Sequence, residues 1–280
     1  MDKPPPIVAL GELLWDLLPT GPRAGGAPFN FAFHCQQLGH PAVIVSRVGD
    51  DELGRQLRAE VRRLGLSDEY IQTDPGHPTG TVQVSLDAAG QPAYTITEHV
   101  AWDFIEWEHR LEALAGSARA VCFGTLAQRA PESRSTIRRM VALAHGVVVL
   151  DLNLRSPFDA AETVRESLDL ADWLKLNEHE AGRLPADFDL SALDLVGVTR
   201  GADGCSVRTP AETVDVPGIP IRVVDTVGAG DAFTAALLAR HLEGKPLREA
   251  ARFANAYAAV VASKVGGTPT VTRVEVERLL

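Results

Sequence analysis

The sequence predicts an α/β protein in which a mostly parallel sheet is buried between helices. Short runs of β-branched and apolar residues alternate with longer amphipathic stretches over most of the chain. This alternation is typical of βα units, whose parallel strands are covered by helices on both faces. No internal repeat, low-complexity segment or linker interrupts the pattern, so we expect a single domain over residues 1–280.

The elements follow from this pattern in chain order. Four strand-then-helix units are predicted at Ile7 to Leu10 with Phe29 to Leu38, Val43 to Val48 with Asp51 to Arg63, Val121 to Phe123 with Ser133 to Ala144, and Val147 to Leu150 with Ala161 to Leu170. The last third is predicted to hold strands at Trp173 to Leu176, Leu195 to Thr199, Cys205 to Thr209 and Thr213 to Val216, the last two paired as a hairpin, and helices at Asp231 to Leu242 and Leu247 to Ser263.

Two stretches fall outside the alternation. Residues 12–24 and 79–97 read as strands separate from the main sheet, and the second stretch turns at Asp87-Ala88-Ala89-Gly90. We expect a discontinuous β lid over about 12–24 and 77–103, covering one end of the sheet.

Composition excludes several classes of protein. With 45 % hydrophobic and 23 % charged residues and a formal net charge of −10, the chain is an ordinary globular sequence without a basic surface for nucleic acid or an anionic membrane. Its three cysteines show no metal-binding or disulfide spacing, which favours free thiols. No signal peptide or apolar stretch of membrane-spanning length is present, so we expect a cytoplasmic protein.

The strongest chemical signal lies between Asp225 and Phe233. A Gly228-Ala229-Gly230 turn precedes a long apolar helix, whose first free N–H groups and positive dipole end form an anion site. Asp231 adds a carboxylate to that site. A carboxylate repels a phosphate that is merely held, but it can act as the base when a phosphoryl group moves to a hydroxyl. The segment therefore indicates phosphoryl transfer.

A second glycine pair, Gly25-Gly26, precedes another helix and places Asn30 in its first turn. Asp16 directly follows the apolar run that precedes this glycine pair in the sequence. Ligands of open α/β sheets gather at the carboxyl ends of strands, so Asp16, Gly26 and Asn30 could converge on a polyhydroxylated ligand. A capped loop and a solvated surface carboxylate are the alternatives.

Polar residues also follow the strand ending near Leu150. Asp151, Asn153 and Arg155 emerge there, and Arg155 could contact a phosphate or pair with Asp151.

After the next strand, Asn177 and Glu180 share a helix face at a spacing of three residues, which suits a hydrated Mg²⁺ or a solvated acidic helix start. The later Thr199-x-Gly201-x-x-Gly204 segment is by itself only a turn.

Taken together, these motifs resemble the ribokinase-like, or PfkB-type, carbohydrate kinases, and they occur in that family's order. The resemblance implies a ribokinase-like three-layer sandwich with a small β lid, and an ATP-dependent sugar kinase. Gly11-Glu12, the Gly-Gly-Ala-Pro segment and Asp151-x-Asn153-x-Arg155 look most like fructokinases.

The resemblance also implies a role for each matching residue. Asp231 is the expected base, with the N–H groups of Gly228, Ala229 and Gly230 and the Arg155 side chain around the transferred phosphoryl group. The residues expected to bind the sugar hydroxyls are Asp16, Gly25, Gly26 and Asn30, and those expected to line the ATP site are Asn177, Thr199, Gly201, Gly204, Gly228, Gly230 and Asn255. Mg²⁺ would be held through water by Asn177 and Glu180. If K⁺ is used, the residues expected to bind it are Asp225, Val227, Gly266 and Thr270. A small sugar and ATP are the implied partners of a monomer or homodimer.

Several alternatives are weighed against a fructokinase. A dinucleotide-binding fold is disfavoured because Phe233 stands where its fingerprint needs a third glycine, and a P-loop kinase because no GxxxxGK[ST] motif occurs. A 2-keto-3-deoxygluconate kinase, a nucleoside kinase and a non-catalytic sugar or nucleotide sensor remain. A sugar-acid kinase would need an additional cation near Asn30, and Arg23 is close enough in sequence to supply it.

Overall fold

The computed structural model describes residues 4–18, 21–86, 92–184 and 187–280. The strands are β1 (Ile7–Leu10), β2 (Leu14–Leu18), β3 (Gly21–Gly25), β4 (Ala42–Gly49), β5 (Ile71–Asp74), β6 (Gly80–Leu86), β7 (Pro92–Ile96), β8 (Ala120–Phe123), β9 (Val147–Asp151), β10 (Trp173–Asn177), β11 (Leu195–Thr199), β12 (Cys205–Arg208) and β13 (Thr213–Val216). The α-helices are α1 (Ala27–Gln37), α2 (Glu52–Arg63), α3 (His109–Ser117), α4 (Pro131–Ala142), α5 (Ala161–Leu168), α6 (Glu178–Ala181), α7 (Ala229–Leu242), α8 (Leu247–Ala262) and α9 (Arg273–Glu277).

The main sheet runs in the order β13-β12-β11-β10-β9-β8-β1-β4-β5. From β5 to β11 every neighbouring pair is parallel, while β12 and β13 form the antiparallel hairpin that the sequence predicts. The chain leaves β1 toward β4 on one side and later continues from β8 on the other. The sheet therefore has its topological switch point beside β1, where open α/β sheets bind ligands.

Helices cover both faces of this sheet. Along β1, Ile7 and Ala9 pack into a core with α1, α7 and α8, whereas Val8 and Leu10 pack into a second core with α3, α4 and α5. Successive side chains of a strand point to opposite faces, so a strand buried on both sides must be apolar throughout, as β1 is. The three-layer α/β arrangement with a mostly parallel sheet is confirmed.

A second, smaller sheet runs in the order β3-β2-β6-β7. Its outer pairs are antiparallel and β2 pairs with β6 in parallel, with Asp16 opposite Arg23 in the register of β2 and β3. Apart from Gly25 at the end of β3, these strands fall within the two stretches predicted as a lid. The predicted turn at 87–90 lies outside the described residues.

The sequence patterns missed several elements. β5 carries the sequence Ile-Gln-Thr-Asp, which has neither apolar alternation nor an apolar run, and it forms because it adds an edge to β4. The short α9 and the nine-residue α3 were also missed, whereas the helix expected at Asn177 and Glu180 is present as the short α6. No helix among the described residues is long and apolar enough to span a bilayer.

Candidate active site

A cavity of about 1200 Å³ lies between the carboxyl ends of the main-sheet strands and the second sheet. Pockets for one small ligand usually measure about 300–1,000 Å³, so this cavity can hold two ligands side by side. It is lined by every residue for which the sequence predicted a ligand-binding role, except Gly25, Glu180 and Thr270. The topology thus brings to one site residues that lie more than 200 positions apart in the sequence, such as Asn30 and Asp231.

The start of α7 forms one wall of the cavity. Its N-cap, Gly228, has φ +76°, a left-handed conformation that favours glycine, and a Cβ there would lie 2.5 Å from the Cα of Gly267. Among the contacts of the described residues, the amides of Gly230 and Asp231 have no acceptor, whereas the Ala229 amide donates to Thr226 at 3.3 Å. The helix start can therefore bind an anion chiefly through Gly230 and Asp231.

Asp231 lies in the first turn of α7 and is buried. Its Oδ2 accepts a hydrogen bond from Asn30 Nδ2 at 2.8 Å. Burial, and then the negative charge of Asp151, raise the pKa of Asp231 to about 6, although the ammonium of Lys175 opposes the rise. A carboxylate with this pKa is ionised at neutral pH, yet it is a stronger base than an exposed one.

Asn30 has a free hydrogen-bonding atom that faces the same region. Its Nδ2 donates a hydrogen bond to Asp231, but its Oδ1 is buried and has no partner among the described residues. A buried carbonyl oxygen without a donor is costly, unless a ligand supplies the missing hydrogen. A hydroxyl bound between Asn30 and Asp231 would satisfy this oxygen.

Two glycines shape the neighbouring wall around Asp16. A Cβ on Gly25 would lie 2.3 Å from Oδ2 of Asp16, and a Cβ on Gly26 would lie 2.4 Å from the carbonyl oxygen of Glu12. Gly26 also has φ +109°, which favours glycine. Gly25 therefore makes room for the Asp16 carboxyl rather than lining the cavity. Burial raises the pKa of Asp16 to about 6.

Glu12 was not assigned a role from the sequence, but it lines the cavity. Its side chain is buried and its Oε1 accepts the Ala27 amide at 3.2 Å, at the start of α1. Burial, together with the nearby charge of Asp231, raises the pKa of Glu12 to about 7, although the backbone amides it accepts oppose the rise. The sequence signal that could have indicated this role is the Gly11-Glu12 pair, which directly follows β1.

Replacing Glu12 with Gln is expected to stabilise the protein at pH about 8. The fold raises the pKa of Glu12 above its unfolded value, so ionisation of this side chain disfavours the folded state above that pKa and has no effect below the unfolded value of 4.5. The expected gain is on the order of 1–3 kcal/mol at pH about 8 and fades toward pH about 4.5. Urea denaturation at both pH values measures it; an equal difference at the two values would contradict the burial argument.

Lys175 is the second residue that the sequence analysis missed. It lies in the middle of β10, is buried, and its Nζ lies 3.1 Å from Oδ1 of Asp151. Thr234 donates to the other oxygen of Asp151 at 3.0 Å. A Cβ on Gly230 would lie only 2.6 Å from the Lys175 ammonium, so this charge sits directly beside the helix start.

The carboxylates nearby keep Lys175 charged. Burial lowers its pKa, but Asp151, Asp231 and Glu180 raise it by more, and the net direction is upward. The buried ammonium therefore adds a fixed positive charge to the anion site formed by α7.

The pairing of Arg155 with Asp151, one of the two roles considered from the sequence, does not occur. Asp151 pairs with Lys175 instead, because β9 and β10 are adjacent and place the two side chains opposite each other. Arg155 is exposed and lines the cavity, and among the described residues it donates only to the carbonyl of Leu154, at 3.3 Å. Its guanidinium remains available for a ligand.

Asn177 and Glu180 form a capping box at the start of α6. The Asn177 side chain accepts the Glu180 amide at 2.9 Å, and the two carboxylate oxygens of Glu180 accept the amides of Asn177 and Leu154, each at 2.8 Å. Glu180 therefore fixes the backbone behind the cavity, while Asn177 itself lines it. The described residues contain no cluster of three or more His, Cys, Asp or Glu side chains that could hold a metal ion.

The far end of the cavity is lined by Thr199, Gly201, Gly204 and Asn255. Gly204 has φ +91°, and a Cβ there would lie 2.1 Å from the carbonyl oxygen of Val216, so the backbones of the two segments are in direct contact. Asn255 of α8 holds the same region by donating to Pro217 at 3.0 Å.

The second sheet contributes mainly apolar contacts. Val82 and Ile96 line the cavity, whereas Trp15 and Trp102 are buried in the two cores. The indole of Trp15 donates to the carbonyl of Leu53 at 3.0 Å. These tryptophans therefore hold the second sheet in place and do not cover a ligand.

Comparison with known proteins identifies the family. The pfkB family of carbohydrate kinases matches residues 20–273. Fructokinase-1 of Oryza sativa is 31 % identical, over 98 % of this chain and 97 % of that protein. Among solved structures, an uncharacterized sugar kinase from Pyrococcus horikoshii in complex with ATP has a TM-score of 0.86 at 29 % identity, over 98 % of this chain and all of that chain. A fructokinase mutant from Vibrio cholerae in fructose-, ADP- and potassium-bound form has a TM-score of 0.84 at 25 % identity, over the whole of both chains. The chain belongs to the pfkB family of carbohydrate kinases and is a sugar kinase.

Proposed function

We propose that this kinase transfers the γ-phosphoryl group of MgATP to a primary hydroxyl of a small sugar, with fructose as the favoured acceptor and Asp231 as the base. The observation that carries the proposal is the pairing of Asn30 with Asp231 at the start of α7. There a buried carboxylate lies beside an amide oxygen and helix amides that have no partner in the described part of the chain. A hydroxyl and a phosphoryl group are the two ligands that these atoms suit.

In this mechanism Asp231 accepts the proton of the sugar hydroxyl as the hydroxyl oxygen attacks the γ-phosphorus, and the bond from that phosphorus to the β,γ-bridging oxygen breaks to release ADP. Asn30 orients the carboxylate and accepts a hydrogen bond from the sugar. The amides at the start of α7 and the Lys175 ammonium stabilise the negative charge on the transferred group, and Arg155 is free to do the same. Because the charges are fixed before the reaction, little reorganisation is needed during transfer.

When bound with ATP, Mg²⁺ would neutralise charge on the phosphates. Both oxygens of Glu180 and the side-chain oxygen of Asn177 already accept backbone hydrogen bonds. This donor set fits a magnesium ion that would be held mainly by phosphate oxygens and by the waters that Mg²⁺ prefers to keep. Asn177 would contact the ion through one of these waters.

Fructose is favoured as the acceptor by the fructokinases among the relatives. One observation favours a second candidate, a sugar acid such as 2-keto-3-deoxygluconate. Arg155 and Arg23 both line the cavity, and Arg155 has no carboxylate partner within the described ranges. A carboxylate on the acceptor would pair well with such a guanidinium.

The acidic limb of the pH profile is expected near pH 6. Asp231 acts as a base only when ionised, and burial raises its pKa to about 6. We expect kcat/KM to fall about tenfold per pH unit below that value and to level off above it. Glu12, with a pKa of about 7, is the competing origin of such a limb. The limb should persist in Glu12→Gln; its disappearance there would assign it to Glu12.

An ADP-release assay with MgATP tests the acceptor. It compares fructose, ribose, 2-keto-3-deoxygluconate, fructose 6-phosphate and adenosine at equal concentrations. The highest kcat/KM is expected for fructose. A preference for 2-keto-3-deoxygluconate that Arg155→Met abolishes would support the sugar-acid candidate instead, and ADP release independent of any acceptor would argue against transfer to a hydroxyl.

A further inference from the structure

The segment between Gly266 and Thr270 packs against the anion site. A Cβ on Gly228 would lie 2.5 Å from the Cα of Gly267, and a Cβ on Gly267 would lie 2.8 Å from the side-chain amide of Asn30. The position of this segment, called here the 266–270 loop, therefore fixes both the N-cap of α7 and the amide that orients Asp231. Whatever holds the loop in place also holds the site.

The family resemblance places a K⁺ ion near this loop, at Asp225, Val227, Gly266 and Thr270. K⁺ is bound by oxygen atoms that replace its hydration shell, so these oxygens must be free to face it.

The carboxylate of Asp225 is already engaged. Its Oδ1 accepts the Val227 amide at 3.1 Å, and its Oδ2 accepts the Gly266 amide at 2.9 Å. The guanidinium of Arg23, from β3 of the second sheet, lies 3.6 Å from the same Oδ2. A cationic side chain thus lies over Asp225 and Gly266, two of the four expected K⁺ positions.

The carbonyl of Thr270 also has a cationic partner. Lys264 donates its Nζ to this oxygen at 2.6 Å, and its Nζ lies 2.7 Å from a carboxylate oxygen of Glu275 in α9. The ammonium therefore bridges the end of α8 to the loop, where a bound cation would otherwise contact the carbonyl.

Two further carbonyls of the loop, those of Gly267 and Pro269, face side chains of α1. The Gly267 oxygen lies 3.0 Å from Nε2 of His34, and the Pro269 oxygen accepts Gln37 Nε2 at 3.3 Å. A carbonyl can only accept, so Nε2 of His34 carries the hydrogen, and its Nδ1 accepts the Tyr257 hydroxyl at 3.1 Å. Burial lowers the pKa of His34 to about 4, which keeps the ring neutral.

We propose that the 266–270 loop is held by side chains of this chain in place of a bound monovalent cation, with Lys264, His34 and Gln37 contacting its carbonyls and Arg23 facing Asp225, and that the kinase does not require K⁺. Two of the four expected positions do not fit that role: the Asp225 carboxylate accepts two amides and faces Arg23, and the Thr270 carbonyl accepts Lys264. The activity part of this inference rests on the proposed function; the binding part does not.

The test compares wild-type protein in K⁺ and in tetramethylammonium at equal ionic strength. The kcat/KM ratio between the two buffers is expected to stay near one, and the thermal midpoint should not differ between them. A ligand that binds only the folded state raises that midpoint by mass action, so a K⁺-specific rise would overturn the proposal, as would strong activation by K⁺. If no acceptor is phosphorylated in either buffer, the proposed function fails while the thermal midpoint still decides on K⁺ binding.

Lys264→Met tests the role of the resident ammonium. We expect a several-fold lower kcat with a smaller change in the KM for either substrate, and recovery in Lys264→Arg, because the loop would be held less firmly against Gly228. Lys245→Met is the matched control, since Lys245 forms an exposed pair with Glu249 away from the cavity. Wild-type kcat in Lys264→Met would contradict the role of Lys264. If that variant does not fold, the wild-type comparison decides the proposal.

Discussion

Replacing Asp231 with Asn is expected to lower kcat by about 10²–10⁴-fold, the loss typical of removing a general base. Asn keeps the size of the side chain and can still contact Asn30, so the sugar and ATP should bind with affinities near those of the wild type. Calorimetric titration of each ligand and steady-state kinetics separate these two effects. Retention of near-full turnover would show that Asp231 is not the base.

The Asp231→Asn protein is expected to remain folded. Burial already raises the pKa of Asp231, so the fold disfavours its charge, and a neutral side chain removes that penalty. The thermal midpoint at neutral pH should therefore equal or exceed that of the wild type. Asp194→Asn is a suitable control, because Asp194 is exposed and lies outside the cavity; its kcat should be unchanged.

Replacing Lys175 with Met is expected to have the second-largest effect. It removes the ammonium beside Gly230, and loss of one preorganised charge-stabilising group typically costs about 10²–10³-fold in kcat. It also leaves Asp151 buried without its cationic partner, which typically costs about 3–5 kcal/mol of stability. Kinetics and urea denaturation of the same protein measure the two losses.

A double variant separates stability from catalysis at this pair. Asp151→Asn combined with Lys175→Met removes both charges, so the free energy of unfolding should recover in part while kcat stays low. If turnover recovered together with stability, Lys175 would act only through folding, and its charge would have no part in phosphoryl transfer.

The chemistry at the start of α7 could be predicted from the sequence because it is local. Two glycines, a following apolar helix and a carboxylate in its first turn determine an anion site within a few residues. The convergence of Asp16 and Asn30 on that site could also be expected, since both follow β1 and strand ends meet at one edge of a parallel sheet. The roles assigned to individual side chains stay predictions until they are tested.

Other parts of the site depend on contacts that one chain does not reveal. Lys175 stands in an apolar strand, and only the pairing of β9 with β10 brings it to Asp151. Glu12 gains its raised pKa from burial beneath α1. The spacing of Glu180 from Asn177 suits both a metal ligand and a residue that caps a helix. Only the backbone hydrogen bonds that its two carboxylate oxygens accept show that it makes the capping contact.

The most direct test of the central claim is ³¹P NMR of a reaction containing the protein, MgATP and fructose. Transfer to a primary hydroxyl predicts a new phosphomonoester resonance, split by the two protons of the adjacent CH₂ group, which grows as ADP appears and grows about 10²–10⁴-fold more slowly with Asp231→Asn. Inorganic phosphate as the only product, or a phosphomonoester formed equally well by Asp231→Asn, would contradict the proposed mechanism.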